Sequence, residues 1–139
     1  MRTAGERVER IDFCEVLKDP RQYSGREITV RATYEYWFEV SNLYCLSCLD
    51  RGKTWLSISS DLDRDSENEW RKAPESGLVN LTVTGELLTG GTFGHLNGYQ
   101  HEFAATKVRN LVVLAKGLQS LERRKQTEAK WACGGRSPK

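Results

Sequence analysis

Two segments of the chain alternate between apolar and polar residues with a period of two. In residues 28–38 every even position is apolar or aromatic, and four of the five odd positions between them are polar, Trp37 being the exception. Residues 79–87 repeat the pattern, with polar side chains between the apolar ones. This periodicity is typical of half-buried strands. It predicts two long strands that share one core, formed by Ile28, Val30, Ala32, Tyr34, Val79, Leu81 and Val83.

Weaker signals complete the order of elements. They predict, in chain order, a short helix at residues 11–17, strands near 43–49 and 53–59, one or two helical turns within 66–73, and a strand near 101–108. Asp12 is the expected N-cap of the first helix. Asp50-Arg51-Gly52 is a hairpin turn signal between the second and third strands.

A last apolar repeat predicts a C-terminal helix. Leu111, Leu114, Leu118 and Leu121 recur at the spacing i, i+3, i+7 and i+10. Leucines at this spacing lie on one face of a helix. The stripe would be available to pack over an apolar patch elsewhere on the domain.

Three strands, a short helix and two further strands is the order of elements in an OB-fold. We therefore expect a mostly β domain, a five-stranded OB-like barrel with a short N-terminal helix, a short helix between strands three and four, and a C-terminal helix. The domain would span residues 11–121, between a flexible N-terminus at 1–10 and a basic flexible tail at 122–139. An open meander and a different small barrel are the alternatives.

Short motifs in the chain resemble a pattern found in small uncharacterised bacterial OB-fold-like proteins. They are Asp19-Pro20, Tyr23-Ser24-Gly25-Arg26-Glu27-Ile28-Thr29-Val30, Val83-Thr84-Gly85-Glu86-Leu87 and Gly94-His95-Leu96-Asn97-Gly98-Tyr99. The resemblance covers roughly residues 12–108 and leaves the basic tail outside. It implies the barrel and no established activity.

The composition is that of a single globular domain. Of the 139 residues, 38% are hydrophobic and 29% are charged, which is too apolar for a wholly disordered chain and too polar for a membrane protein. No run approaches the roughly 20 apolar residues of a membrane-spanning helix, and the first residues lack the apolar stretch of a signal peptide. We expect a cytoplasmic protein with no membrane partner.

The net charge of +2 divides unevenly along the chain. Residues 1–115 carry 14 Lys and Arg against 17 Asp and Glu, or −3, whereas residues 116–139 carry 7 against 2, or +5. A basic tail can add salt-sensitive affinity for nucleic acid, or it can be a solvated helix end and a mobile terminus. Its candidate binding residues are Arg123, Arg124, Lys125 and Lys130.

Cys45 and Cys48 form a CxxC pair. Two thiolates at this spacing supply half of a zinc site or a redox pair, and the candidate completing ligands are His95 and His101 or the two remaining cysteines. Residues three apart on a regular strand point to opposite faces, so a shared metal would need a local turn. We expect small buried or half-buried thiols and no cofactor, with zinc, redox chemistry and a disulfide as alternatives. Without an export signal, reduced thiols are favoured.

Residues 90–101 join the last two predicted strands and hold both histidines of the chain. In an OB-fold this loop lies beside the ligand face. Phe93, His95, Tyr99 and His101 are therefore candidate ligand-binding residues. The alternative is a structured turn in which glycines supply positive φ angles and His95 caps a backbone carbonyl.

Trp37 and Trp55 are predicted to point away from the core. Trp37 lies on the polar face of the first long strand, and Leu56 and Ile58 are expected to take the core positions beside Trp55. Outward aromatics on an OB surface serve base stacking. Alternatively, another element such as the leucine-striped helix covers them, or they form a protein interface.

Three hypotheses of function follow. The first is a non-catalytic binding module for a protein, including another copy of itself. The second is a single-stranded DNA or RNA binder that uses the barrel face, the 90–101 loop and the basic tail. The third is a metal- or thiol-dependent enzyme built on Cys45, Cys48, His95 and His101, for which the sequence offers no nucleophile paired with a base.

Overall fold

The structure, a computed structural model, describes residues 9–38 and 40–117. The strands are β1 (Glu9–Arg10), β2 (Glu27–Trp37), β3 (Val40–Tyr44), β4 (Thr54–Ile58), β5 (Gly77–Phe93) and β6 (Tyr99–Lys116). The helices are α1 (Phe13–Lys18), α2 (Pro20–Tyr23) and α3 (Arg64–Trp70), and two 3-10 turns span Leu46–Arg51 and His95–Asn97.

Five of the strands close into a ring. Their order is β2-β3-β4-β6-β5, and β5 pairs back onto β2. All neighbours are antiparallel except β4 and β6, which are parallel. The short strand β1 adds to β2 outside the ring. The predicted mostly β fold with five main strands is confirmed, and so is the helix between the third and fourth of them.

The alternating residues of the two long strands meet inside the ring. All seven predicted core residues, Ile28, Val30, Ala32, Tyr34, Val79, Leu81 and Val83, are buried in one cluster. Helix α1 adds Phe13, Val16 and Leu17 to the same cluster. Asp12 caps this helix as predicted, because its carboxylate accepts a hydrogen bond from the backbone N–H of Cys14. Each fully buried apolar side chain contributes roughly 1.5–3 kcal/mol to folding.

Polar pairs line the outer face where β2 meets β5. Thr29 lies opposite Thr84, and their hydroxyls are 2.7 Å apart. Arg31 lies opposite Thr82 and donates to its Oγ1 at 2.8 Å. Since buried polar groups destabilise a fold unless they are hydrogen-bonded, these directly opposed partners help to fix the register at which the ring closes.

Helix α3 is fastened to β6 by a buried hydroxyl. The Oγ of Ser66, which is completely buried, accepts hydrogen bonds from the backbone N–H of Val108 and from the Arg109 guanidinium. Asp63 caps the helix by accepting from the backbone N–H of Ser66, and Arg109 donates to its other carboxylate oxygen. The hydrogen bonds from Ser66 and then from Arg109 lower the pKa of Asp63 to about 2.

The predicted C-terminal helix is wrong over residues 111–116, which continue strand β6. Leu111 lies in the main core, and Leu114 packs against a second cluster of Tyr44, Leu78 and Ala115. The helical spacing of the leucines also fits a strand whose pairing with β5 is interrupted by register shifts. The β-branched pair Val112 and Val113 between them favours a strand. The rest of that prediction, including Leu118 and Leu121, lies outside the described residues.

Other boundaries differ from those expected. The predicted strand near 43–49 ends at Tyr44, and the chain continues into the 3-10 turn Leu46–Arg51 instead of a tight hairpin. The predicted loop at 90–101 is mostly strand, because Phe93 ends β5 and Tyr99 begins β6 directly opposite it. Among the described residues, no helix is long and apolar enough to span a membrane.

Candidate functional site

Five large apolar side chains stand out among the described residues because they are exposed. Four of them lie in turns, and Trp37 is the last residue of β2, where the chain enters a turn. Trp37 and Phe38 form what we call the β2–β3 tip, Leu46 and Leu49 lie on the Leu46–Arg51 turn, and Leu96 lies on the turn between β5 and β6. Phe38 is 91% exposed. It continues the even positions of the alternating pattern, but β2 ends at Trp37 and the chain turns at Phe38.

The turns bracket the outer face of β3 and β4. Strand pairing aligns Glu35, Asn42, Trp55 and Glu102 in one row across β2, β3, β4 and β6. Trp37 is two residues beyond Glu35 on the same strand, so the two tryptophans point to the same face. The predicted inward positions beside Trp55 are confirmed, since Leu56 is buried in the core and Ile58 packs against it.

Trp55 anchors an aromatic cluster on this face. Its ring meets the Tyr99 ring edge-on with centroids 5.0 Å apart, and the Lys53 ammonium lies 5.3 Å from the centre of Tyr99. Gly94 makes the packing possible, because a Cβ at this position would lie 2.5 Å from Cε3 of Trp55. Its φ of +72° is a conformation that glycine adopts without strain.

A cavity of about 150 Å³ opens beside this cluster. We call it the disulfide-side pocket, because Cys45 and Cys48 form part of its wall. Leu17 and Leu49 supply apolar wall, and Lys53 is the one charged residue among the described residues that line it. Asn42 also lines the pocket, and its Oδ1 is buried with no hydrogen-bond partner in the described part of the chain.

His101 is a buried residue of β6 rather than a loop residue. Its Nδ1 lies 2.8 Å from the Thr89 hydroxyl and its Nε2 lies 3.3 Å from the Arg51 carbonyl oxygen. Because a carbonyl oxygen only accepts, Nε2 donates, and in the neutral ring Nδ1 then accepts from the Thr89 hydroxyl. Burial lowers the pKa of His101, and the bond to Arg51 opposes that shift to a smaller extent. The imidazole of His101 is therefore neutral, and its two hydrogen bonds connect β6 to β5 and to the turn before β4.

The other candidates of the 90–101 segment are dispersed. His95 is exposed at the start of the 3-10 turn His95–Asn97, whereas Tyr99 is buried against Trp55. Phe93 is partly buried at the end of β5. The structure thus brings Tyr99 into contact with Trp55, whereas His95 is exposed and His101 is buried.

The two cysteines of the CxxC pair are not bonded to each other. Cys48 forms a disulfide with Cys14, and Cys45 is also disulfide-bonded. The expectation of reduced thiols is therefore wrong for these three residues. In the described ranges no group of three or more His, Cys, Asp or Glu side chains is arranged to hold a metal ion.

Sequence reasoning missed part of this site. It did not single out Phe38, Leu49, Lys53 or Asn42, which the turns and the pocket bring to the surface. The alternation held no signal for Phe38, because Glu39 and Val40 continue it. The basic tail residues Arg123, Arg124, Lys125 and Lys130 lie outside the described residues.

Comparison with known proteins assigns no relative. The chain matches no protein-family model, no curated protein and no solved structure.

Proposed function

We propose that this chain is a non-catalytic binding module with an OB-like barrel, and that its partner is a protein. The strand order supports the OB-like assignment: the first, second, third, fifth and fourth strands of the ring follow one another, and a helix joins the third to the fourth. OB-folds bind their ligands at the face of their second and third strands and at the loops beside it. Here that face is the outer surface of β3 and β4.

The observation that carries the proposal is the position of the exposed apolar side chains. Four lie in the turns that bracket the β3–β4 face and Trp37 lies at the strand end that leads into one of them, beside the nearly fully exposed Phe38. Exposed apolar patches mark interaction sites, and aromatic residues dominate the binding energy of protein interfaces. A body charge of −3 over residues 1–115 favours a protein over a polyphosphate ligand.

Single-stranded nucleic acid is the second candidate, and one observation favours it. Trp55 is partly exposed, and Lys53 lies over the neighbouring Tyr99 ring. A partly exposed tryptophan ring near a lysine on an OB-like face suits base stacking next to a phosphate. Binding of this kind would weaken steeply with salt, whereas contacts made by Phe38 and Leu49 would not.

The disulfide is relevant to the cellular compartment in which the protein functions. We propose an oxidising compartment instead of the cytoplasm expected from the sequence. Disulfides persist in oxidising compartments and are rare in the cytosol. The bond between Cys14 and Cys48 and the bonded state of Cys45 support this location.

Site-specific photo-crosslinking tests the proposed partner class. A photoreactive benzoyl-phenylalanine at position 38, in the full chain inside the producing cell, should give protein adducts that mass spectrometry identifies. The matched control carries the same group at Arg21, which is exposed on α2, a helix that contacts β5, and it should give none.

The opposite pattern would reject the proposal. If position 38 yields no protein adduct while a fluorescent oligonucleotide binds with a steep salt dependence, the nucleic-acid alternative holds. Equal adducts from positions 38 and 21 would mean that the tip has no special role.

A further inference from the structure

We propose that the partner of the β2–β3 tip is a second copy of this chain: Phe38 of one copy inserts into the disulfide-side pocket of the next, so that copies associate head to tail. The inference rests on the proposed function and names its partner. It combines an exposed aromatic group and a pocket that lie on different parts of one molecule.

The tip presents a side chain with little contact in its own chain. Phe38 is 91% exposed and Trp37 beside it is 38% exposed. Large aromatic side chains bury 150–250 Å² when they find a partner. Phe38 is thus the most exposed large apolar side chain among the described residues.

The pocket has the size and lining that a phenyl ring requires. Its volume of about 150 Å³ equals that of an engineered apolar cavity that holds benzene. Leu17 and Leu49 supply aliphatic wall, and the disulfide-bonded Cys48 supplies polarisable sulfur. Sulfur next to an aromatic ring is a favourable contact.

The charges near the tip and at the pocket also favour a second copy of the chain as the occupant. The tip is flanked in sequence by Glu35 and Glu39, whereas the charged residue lining the pocket is Lys53. Opposite charges at the rim of an apolar contact select the partner and its orientation.

The contact must form between copies. Phe38 precedes β3, whereas Tyr44 at the other end of β3 lines the pocket. At about 3.3 Å per residue, the six steps from Phe38 to Tyr44 span roughly 20 Å, and the four steps to Asn42, the pocket residue nearest to the tip along β3, span roughly 13 Å. Both distances exceed the reach of a phenyl side chain, so a tip does not enter its own pocket while β3 is intact. A contact between two different patches is heterologous, and it produces closed rings or open chains of copies.

The test separates the two halves of the contact. Phe38→Ser removes the inserted group, and Leu49→Glu places a negative charge at the pocket, against the acidic tip. The full-length oxidised protein should show a mass that rises with concentration in sedimentation equilibrium. Each variant alone should remain a monomer, with its association weakened at least tenfold.

Mixing the two variants gives the decisive result. Phe38→Ser keeps an intact pocket and Leu49→Glu keeps an intact tip, so the mixture can make one productive contact and should stop at a dimer. Arg21→Ala, which changes the net charge by the same amount as Leu49→Glu, should associate like the unaltered protein. Lys53→Glu should weaken association, and added salt should weaken it in the unaltered protein.

Three outcomes would overturn the inference. The unaltered protein could stay monomeric up to about 1 mM, both variants could associate like the unaltered chain, or the mixture could fail to form a dimer from two folded monomers. If position 38 still crosslinks to a different protein, only the second copy is rejected and the proposed function stands. If it crosslinks to no protein, both fail.

Discussion

Cys14 and Cys48 are joined by a disulfide that ties helix α1 to the 3-10 turn after β3, with their Cα atoms 5.7 Å apart. Arg51 reinforces the junction by donating from its guanidinium to the carbonyl oxygen of Cys14 at 2.7 Å. Because Leu17 of α1 and Leu49 of the turn both line the disulfide-side pocket, the bond also fixes two of its walls relative to each other.

Removing this disulfide should destabilise the protein. The bond closes a segment with a sequence separation of 34 residues, for which the loss of unfolded-chain entropy predicts about 3–4 kcal/mol of stabilisation. The double variant Cys14→Ala, Cys48→Ala should lose that amount in denaturant unfolding without reductant. Ser47→Ala, in the same turn, serves as the control. A non-reducing peptide map that lacks a link between Cys14 and Cys48 would contradict the assignment.

Removing the small hydroxyl of Ser66 should lower the free energy of unfolding substantially. Ser66→Ala leaves the buried N–H of Val108 without its acceptor, and such a loss costs about 1–3 kcal/mol. Ser60→Ala, at an exposed turn position, should change the free energy of unfolding by less than about 0.5 kcal/mol. Equal effects of the two substitutions would show that α3 is not held to β6 through this group.

Stability should fall as the pH drops below the ordinary pKa of histidine, near 6.5. Burial lowers the pKa of His101 in the folded protein, so the unfolded chain binds more protons in this range and stability rises with pH. His101→Gln should flatten the dependence of the unfolding free energy on pH between the folded pKa and 6.5. A slope that persists unchanged in His101→Gln would refute the prediction.

Substitution of Gly94 should disturb the aromatic cluster. Gly94→Ala places a Cβ at φ +72° and against Trp55. Gly90→Ala is the matched control, because Gly90 has a φ of +85° and nothing within 4 Å of the added Cβ. The left-handed backbone alone costs about 1–2 kcal/mol, so Gly90→Ala should lose that much and Gly94→Ala more, with a change in near-ultraviolet circular dichroism. Identical losses would mean that Trp55 does not pack on this glycine.

The alternating residues made the core predictable. Ile28 and Val83 could be placed inside from sequence alone because burial on one face of a strand imposes a period of two. Asp12 could be assigned as a cap because its carboxylate serves the adjacent helix, which is a local interaction. Features that depend on neighbours in the chain could therefore be predicted from the sequence.

Features that depend on contacts between distant parts of the chain could not be predicted from the sequence. The pairing of Cys14 with Cys48 depends on where α1 docks, and four cysteines leave several pairings open. Leu111 and Leu114 matched a helical period, yet pairing with β5 determined their structure. Phe38 continued the strand pattern by one residue, and only the end of β2 shows that it lies on a turn.

The position of β6 between β4 and β5 has a consequence for how this protein is made. Although β6 comes last among the described strands, it separates two strands made before it. A growing chain on the ribosome therefore carries β4 and β5 with unpaired edges until β6 has emerged and inserted between them. Unpaired edges attract other strands, and such non-local pairing is slow. Slower translation of β6 should thus lengthen the time for which these edges are exposed, and it should increase aggregation before the ring closes.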